Sequence, residues 1–324
     1  MARRTDVAGL VRRALDGEQL AVARLISLVE DAGPGLREAA AALAPHTGRA
    51  HVVGLTGPPG VGKSTTTSAL VSALRADGRR VGVLAVDPSS PFTGGALLGD
   101  RVRMAEHTTD PGVFIRSMAT RGHLGGLAWS TPQALRVLDA AGCDVVLVET
   151  VGVGQSEVDV VALADTTVVL LAPGMGDGVQ AAKAGILEVA DVFVVNKADR
   201  DGADRAVREL RQMLSMGHRD AADGWTPPVV PTVATRADGV ADLAAALDEH
   251  RAHLDAGDGR ERRRLARARA EIEALALDAV RVRIGDLRGS VALPELAKRM
   301  VAGELDPYRA ADELVGAVRP DPSR

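Results

Sequence analysis

Two short segments carry residue types and spacings suited to chemistry on a nucleotide. The first is GPPGVGKS, from Gly57 to Ser64, which fits G-x-x-x-x-G-K-S without a gap. Glycines let a backbone wrap closely round a phosphate. Amide N–H groups then point inward at a helix N-terminus, where the dipole favours an anion. Lys63 is the residue that reaches the β- and γ-phosphates, and the Ser64 hydroxyl takes a coordination position on Mg²⁺. A merely tight turn leaves the Lys-Ser pair unexplained. The second segment is Asn196-Lys197-Ala198-Asp199, an N-K-x-D pattern directly after an apolar run. A carboxylate at Asp199 can accept hydrogen bonds from the ring N–H and the exocyclic amine of guanine. Adenine offers no such pair of donors, and a buried carboxylate left facing it is unpaired, at a cost of several kcal/mol. Sites of this kind discriminate by about 10⁴ or more. Val233, Ala234 and Thr235 close the following apolar run and can supply backbone N–H groups to the guanine oxygen.

Candidates for the metal and for sensing the γ-phosphate lie between these two segments. The run 144–149 ends in Glu149, followed by Thr150, Val151 and Gly152. An acidic residue at such a strand end holds a Mg²⁺-bound water, and a nearby glycine amide meets the γ-phosphate. Glu149 stands where Asp is commoner; its longer side chain suits a water-mediated contact. VDPSSPFTGGALLGDR follows the run 80–86, and Asp87 and Asp100 flank its Gly/Ser/Thr-rich loop. Two carboxylates near one Mg²⁺ imply that one is outer-shell or orients water. Plainer readings stand beside these: Asp87 as a turn former before Pro88, and Asp100 as an N-cap for 101–106. Gln155, three residues past Gly152, is a further candidate for orienting the attacking water. APGMGDGVQAAKAG, 172–185, is another glycine-rich loop, with Asp177 and Lys183 as charged members. It reads either as a segment that moves with nucleotide state or as an ordinary strand-to-helix connection.

The elements that must hold these residues follow from the apolar pattern. HVVGLT (51–56), RVGVLAV (80–86), GVFIRS (112–117), DVVLVE (144–149), TTVVLL (166–171), DVFVV (191–195) and PVVPTV (228–233) read as strands. Helical stretches fall at 63–76, 131–141, 178–189, 201–215 and 237–253. Continuous apolar runs, rather than alternation, mean strands covered on both faces. The alternation of strand and helix predicts an α/β fold, a doubly wound and mostly parallel sheet. Ligands bind at the carboxyl ends of strands in such sheets, where the polar clusters fall here. Residues 1–48 read as an N-terminal helical extension, with helices over 8–31 and about 36–44, serving as packing or as a partner surface. Residues 49–254 form the nucleotide domain. Residues 255–324 form a C-terminal helical arm, whose Arg260, Arg262, Arg263, Arg264, Arg267 and Arg269 read as a solvated helix face or a subunit contact.

Composition narrows the class further. The chain has 324 residues, 46% apolar and 25% charged, which excludes collagen, a disulfide scaffold and wholesale disorder. A net charge of -4 and 2% aromatic residues argue against nucleic acid and anionic lipid as partners. Cys143 is the lone cysteine and precedes an apolar run, so it is expected in the core. With no run of about 18 apolar residues, no membrane span is expected, and a reducing cytoplasm is the expected location.

The ordered set GPPGVGKS, VDPSSPFTGGALLGDRVRM, ETVGVGQSEVDV, APGMGDGVQAAKAG and NKAD resembles the MeaB/ArgK family of P-loop GTPases across nearly the whole chain. The resemblance implies a GTPase chaperone of adenosylcobalamin-dependent acyl-CoA mutases, chiefly methylmalonyl-CoA mutase. Such a protein gates cofactor loading and protects or rescues the enzyme. It also implies a homodimer held largely by the C-terminal helices, with GTP or GDP and Mg²⁺ as ligands. Carried over by motif, Gly57, Pro58, Pro59, Gly60, Val61, Gly62, Lys63, Ser64 and Thr65 bind the phosphates. Asn196, Lys197 and Asp199 serve the base, with Val233 to Thr235 as the base-side loop. Asp87, Asp100 and Glu149 take the metal and switch positions, and Asp177 and Lys183 a loop tied to partner-dependent activation. The base-side loop reads Val-Ala-Thr where the family commonly has Ser-Ala, so a serine side-chain contact is lost. A nickel-type metallochaperone needs a Cys/His cluster, and the seven His are scattered, with only His250 and His253 at helical spacing. A small-molecule kinase or transport-associated ATPase needs an acceptor pocket that the sequence does not identify.

Overall fold

The structure, a computed structural model, describes residues 6–87, 104–119, 130–150, 162–174, 189–216, 224–284 and 290–317. Seven strands form one sheet: β1 (His51–Thr56), β2 (Val81–Asp87), β3 (Val113–Ala119), β4 (Val145–Thr150), β5 (Thr166–Leu171), β6 (Val192–Asn196) and β7 (Val229–Thr232). Their order is β3-β2-β4-β1-β5-β6-β7, and every pairing is parallel. The expected mostly parallel sheet is therefore present, with all seven runs in place. β1 lies at its centre. From β1 the chain builds outward to β2 and β3, returns to β4, then crosses to β5 and the far side. That reversal makes a topological switch point at the carboxyl end of β1.

Alternation within the strands divides the apolar side chains between the two faces. Val53, Leu55, Val81, Val83, Val145 and Leu147 join a core with α4 (Lys63–Ala76) and α7 (Val240–Ala256). Val52, Leu84, Val86, Val146 and Val148 join another core with α5 (Thr131–Ala140) and the N-terminal helices α1 (Val7–Leu15), α2 (Gln19–Glu30) and α3 (Leu36–Leu43). Val169, Leu171, Phe193 and Val195 pack against α6 (Ala203–Met216). The expected helix over 178–189 lies almost wholly outside the described residues.

The single helix expected over 8–31 is two helices. Gly17 (φ +82°) ends α1, with Glu18 N–H donating to Arg13 O at 3.0 Å and Gly17 N–H to Ala14 O at 2.9 Å. This is the Schellman pairing that a left-handed glycine permits; a periodicity count passes over it because both helices present apolar faces to one core.

The chain divides into two compact units, Met1–Arg263 and Arg264–Arg324. The second holds most of α8 (Gly259–Ile284), with α9 (Ala292–Val301) and α10 (Pro307–Ala317), the last two joined by an Arg299–Glu313 ion pair of 2.8 Å. None of the described helices is long and apolar enough to cross a membrane.

Below the sheet, at the amino ends of β1, β5 and β6, a polar chain runs through the core. His51 Nε2 meets Thr166 Oγ1 at 2.7 Å, and Thr166 Oγ1 meets His250 Nδ1 at 2.8 Å. His250 Nε2 lies 3.4 Å from Asp191, whose carboxylate accepts two 2.8 Å hydrogen bonds from Arg263. One of the six arginines expected on a solvated face or at a subunit contact, Arg263, thus pairs with a carboxylate at the base of the sheet. Burial pushes the His51 imidazole down to about 4, against the opposing pull of Asp165. The neutral ring is the folded form, while an unfolded His has a pKa of about 6.5. His51 therefore contributes stability above pH ~6.5 that is lost as the pH falls through about 4. The loss amounts to about 3 kcal/mol. Urea unfolding at pH 7 and pH 4.5 should show His51→Gln losing less stability than the wild type. Parallel losses would contradict this account of the buried ring.

Candidate nucleotide site

The residues singled out from sequence converge on the carboxyl edge of the sheet. The loop from Gly57 to Gly62 joins β1 to α4. Gly57 has φ +144°, and a Cβ there would stand 2.3 Å from Leu170 O on β5, so only glycine passes this point. Lys63 is buried, its ammonium donating to Gly57 O at 2.7 Å and Pro58 O at 3.1 Å. The cation thus lies across the mouth of its own loop, at the N-terminal turn of α4. Helix dipole, loop amides and ammonium together make an anion site. Thr65 is exposed beside it.

Ser64 Oγ donates to Glu149 Oε1 at 2.6 Å. Both side chains are buried, and Glu149 sits next to the end of β4, in register with Leu55 on one side and Ala85 on the other. Asp87 ends β2, two residues beyond Ala85. The backbones of both candidate acidic residues thus lie on adjacent strand ends beside the phosphate loop. A hydroxyl and a carboxylate in contact form an oxygen-only donor set, which fits the hard cation Mg²⁺. Asp100, Gly152, Gln155, Asp177 and Lys183 lie outside the described residues.

On the other side of β1, Asn196 ends β6 and is buried. Its amide donates to Val61 O at 2.8 Å, and its oxygen accepts from Thr232 Oγ1 and Ala234 N–H, both at 3.2 Å. One side chain therefore ties the phosphate loop, β7 and the base-side loop together. Lys197, at φ +59°, donates to Gly60 O at 2.6 Å. Asn196 and Lys197 thus hold the loops in position, and the Ala234 N–H expected for the base donates to Asn196. Asp199 is exposed in the turn that follows, and Val233, Ala234 and Thr235 open the loop after β7. Thr232 and Arg236 were not among the sequence candidates. Arg236 Nη1 lies 4.0 Å from the Asp199 carboxylate; a lone cation one residue past the base-side loop was the available signal. Cys143 is buried as expected, and desolvation pushes its thiol up to about 12, which keeps it unreactive.

A parallel sheet with a phosphate loop on its central strand, a hydroxyl–carboxylate pair beside it and an Asn-Lys-x-Asp turn two strands away defines a P-loop GTPase. The family described as methylmalonyl Co-A mutase-associated GTPase MeaB matches residues 22–286. A Pyrococcus abyssi protein, itself named only as a GTPase, is 50% identical over 309 residues, covering 94% of this chain and 95% of its own. The mouse protein named methylmalonic aciduria type A homolog, mitochondrial, is 36% identical over 273 residues, 82% of this chain and 65% of its own. A crystal structure of a LAO/AO transport system kinase superposes with a TM-score of 0.69 at 26% identity, covering 98% of both chains. The chain belongs to the MeaB family of mutase-associated GTPases, and it hydrolyses GTP.

Proposed function

We propose that this GTPase is a chaperone for an adenosylcobalamin-dependent acyl-CoA mutase, with methylmalonyl-CoA mutase as its first candidate, and that it gates cofactor loading or rescues the enzyme. The observation that carries this reading is the match of residues 22–286 to a family described as associated with that mutase. Lys63 and the amides of Gly57–Gly62 hold the β- and γ-phosphates. Ser64 and Glu149 hold Mg²⁺, with Asp87 on the adjacent strand end; Asp100 is a further ligand or water-orienting candidate by its motif alone. When bound, Mg²⁺ offsets negative charge on the phosphate oxygens as the terminal bond breaks. Asp199 reads the guanine edge, while Asn196 and Lys197 keep the phosphate loop and the base turn in register. Chain positions Gln155, Asp177 and Lys183 supply water orientation and partner response.

A homodimer through the C-terminal arm agrees with the apolar side chains exposed on α8, among them Leu265, Ile272 and Val280. A cytoplasmic location suits a partner enzyme of this kind.

The test is GTP turnover by the full chain with and without the mutase from the same cell. Turnover is expected to rise on the order of tenfold or more when the partner binds. An unchanged rate within a demonstrated complex contradicts the chaperone reading. The superposing structure carries the name of a kinase, so the products matter as well. Inorganic phosphate is expected, and a phosphorylated metabolite would favour a kinase instead.

A further inference from the structure

The base-side loop is a closed turn. Val233 N–H donates to Asp238 O at 3.0 Å, and the two residues form an antiparallel bridge around one tight helical turn, Ala234–Arg236. The turn carrying Asp199 is fixed to the same strand, since Ala198 N–H donates to Thr232 O at 2.9 Å. The two turns therefore keep a set separation, and Arg236 spans it. Its Nε donates to Asp238 Oδ2 at 2.9 Å, which anchors the near edge of the guanidinium. Its Nη1 faces Asp199 Oδ2 at 4.0 Å.

We propose that Arg236 is a positioning residue for base selection: held by Asp238, it steadies the Asp199 carboxylate in the orientation that meets both guanine donors at once. The inference rests on the reading of Asp199 as the base-selecting residue. A terminal carboxylate torsion is broad, and Asp199 is 42% exposed, so packing alone does not fix its plane. Two adjacent donors on a rigid base require both oxygens in that base's plane. Each carboxylate oxygen has two acceptor positions, so Oδ2 can serve the guanidinium and the base together. The planar guanidinium has a donor for each carboxylate, which an ammonium cannot match in fixed geometry. An exposed ion pair contributes little in water. A bound base covers this one, and the interaction strengthens as water leaves.

The test compares dissociation constants for GDP and for IDP, which lacks the exocyclic amine. With one donor fewer, IDP depends less on the carboxylate plane. Arg236→Ala is expected to weaken GDP about threefold and IDP by less, so that the GDP-to-IDP preference narrows. Arg236→Lys should restore that preference only in part. Equal weakening of both nucleotides, or none, overturns the inference while leaving guanine selection intact, provided the wild type prefers GDP to ADP. A wild type with no such preference overturns the reading of Asp199 and this inference with it.

Discussion

Lys63→Ala is expected to lower GTP turnover by about 10²–10³-fold with little change in thermal midpoint. The ammonium lies across the phosphate loop, on the carbonyls of Gly57 and Pro58, where the β- and γ-phosphates of a nucleotide would meet it. As the terminal phosphate departs, charge grows on the bridging oxygen, and a fixed cation stabilises that charge more than it stabilises the ground state. The fold does not depend on it in the same way. Pro58 is partly exposed, and water can reach its carbonyl once the lysine is gone. Lys63→Arg should not rescue turnover, because the loop accommodates a point charge and not a planar fork. Steady-state kinetics beside a melting curve check the prediction. A variant that keeps wild-type turnover would mean that the loop does not hold the reacting phosphates.

Asp199→Asn is expected to weaken GDP by about 10²-fold or more and to improve the binding of xanthosine diphosphate. The substitution replaces two acceptor oxygens with one acceptor and one donor. Guanine presents two donors on that edge, so the new amide N–H₂ faces the exocyclic amine, donor against donor. Xanthine presents a ring N–H beside a carbonyl, the pattern that an asparagine side chain complements. Asp199 is exposed and its turn is held by backbone bonds through Ala198, so the variant should fold. Displacement of a fluorescent GDP analogue by both nucleotides measures the exchange of preference. Equal loss of both would mean that Asp199 supports the turn and does not read the base.

The strands, the phosphate loop and the Asn-Lys-Ala-Asp turn were legible because each is written in contiguous residues. Apolar runs such as DVVLVE and TTVVLL have one solution in a sheet covered on both faces, and the loop motif sits between a strand and a helix by spacing alone. What was not legible is built from residues distant in sequence. Asn196, expected at the base, also joins Val61, Thr232 and Ala234, partners that the strand order β1-β5-β6-β7 brings together. His51, Thr166, Asp191 and His250 make one buried chain, which the half-buried Arg263 closes. In sequence they read as scattered polar residues, and Arg263 as a solvated one. Arg236 escaped notice because its relation to Asp199 depends on how two separate turns are fastened. The break at Gly17 was missed for the opposite reason: its signal is local, but the apolar period runs on across it.

The most direct test of guanine selection by this site is calorimetric titration of the wild-type chain with GDP and with ADP in the presence of Mg²⁺. Saturable heat is expected from GDP at one site per chain, and none from ADP at a hundredfold higher concentration, about the margin lost with a mispaired edge. Matching heats from the two nucleotides would contradict it.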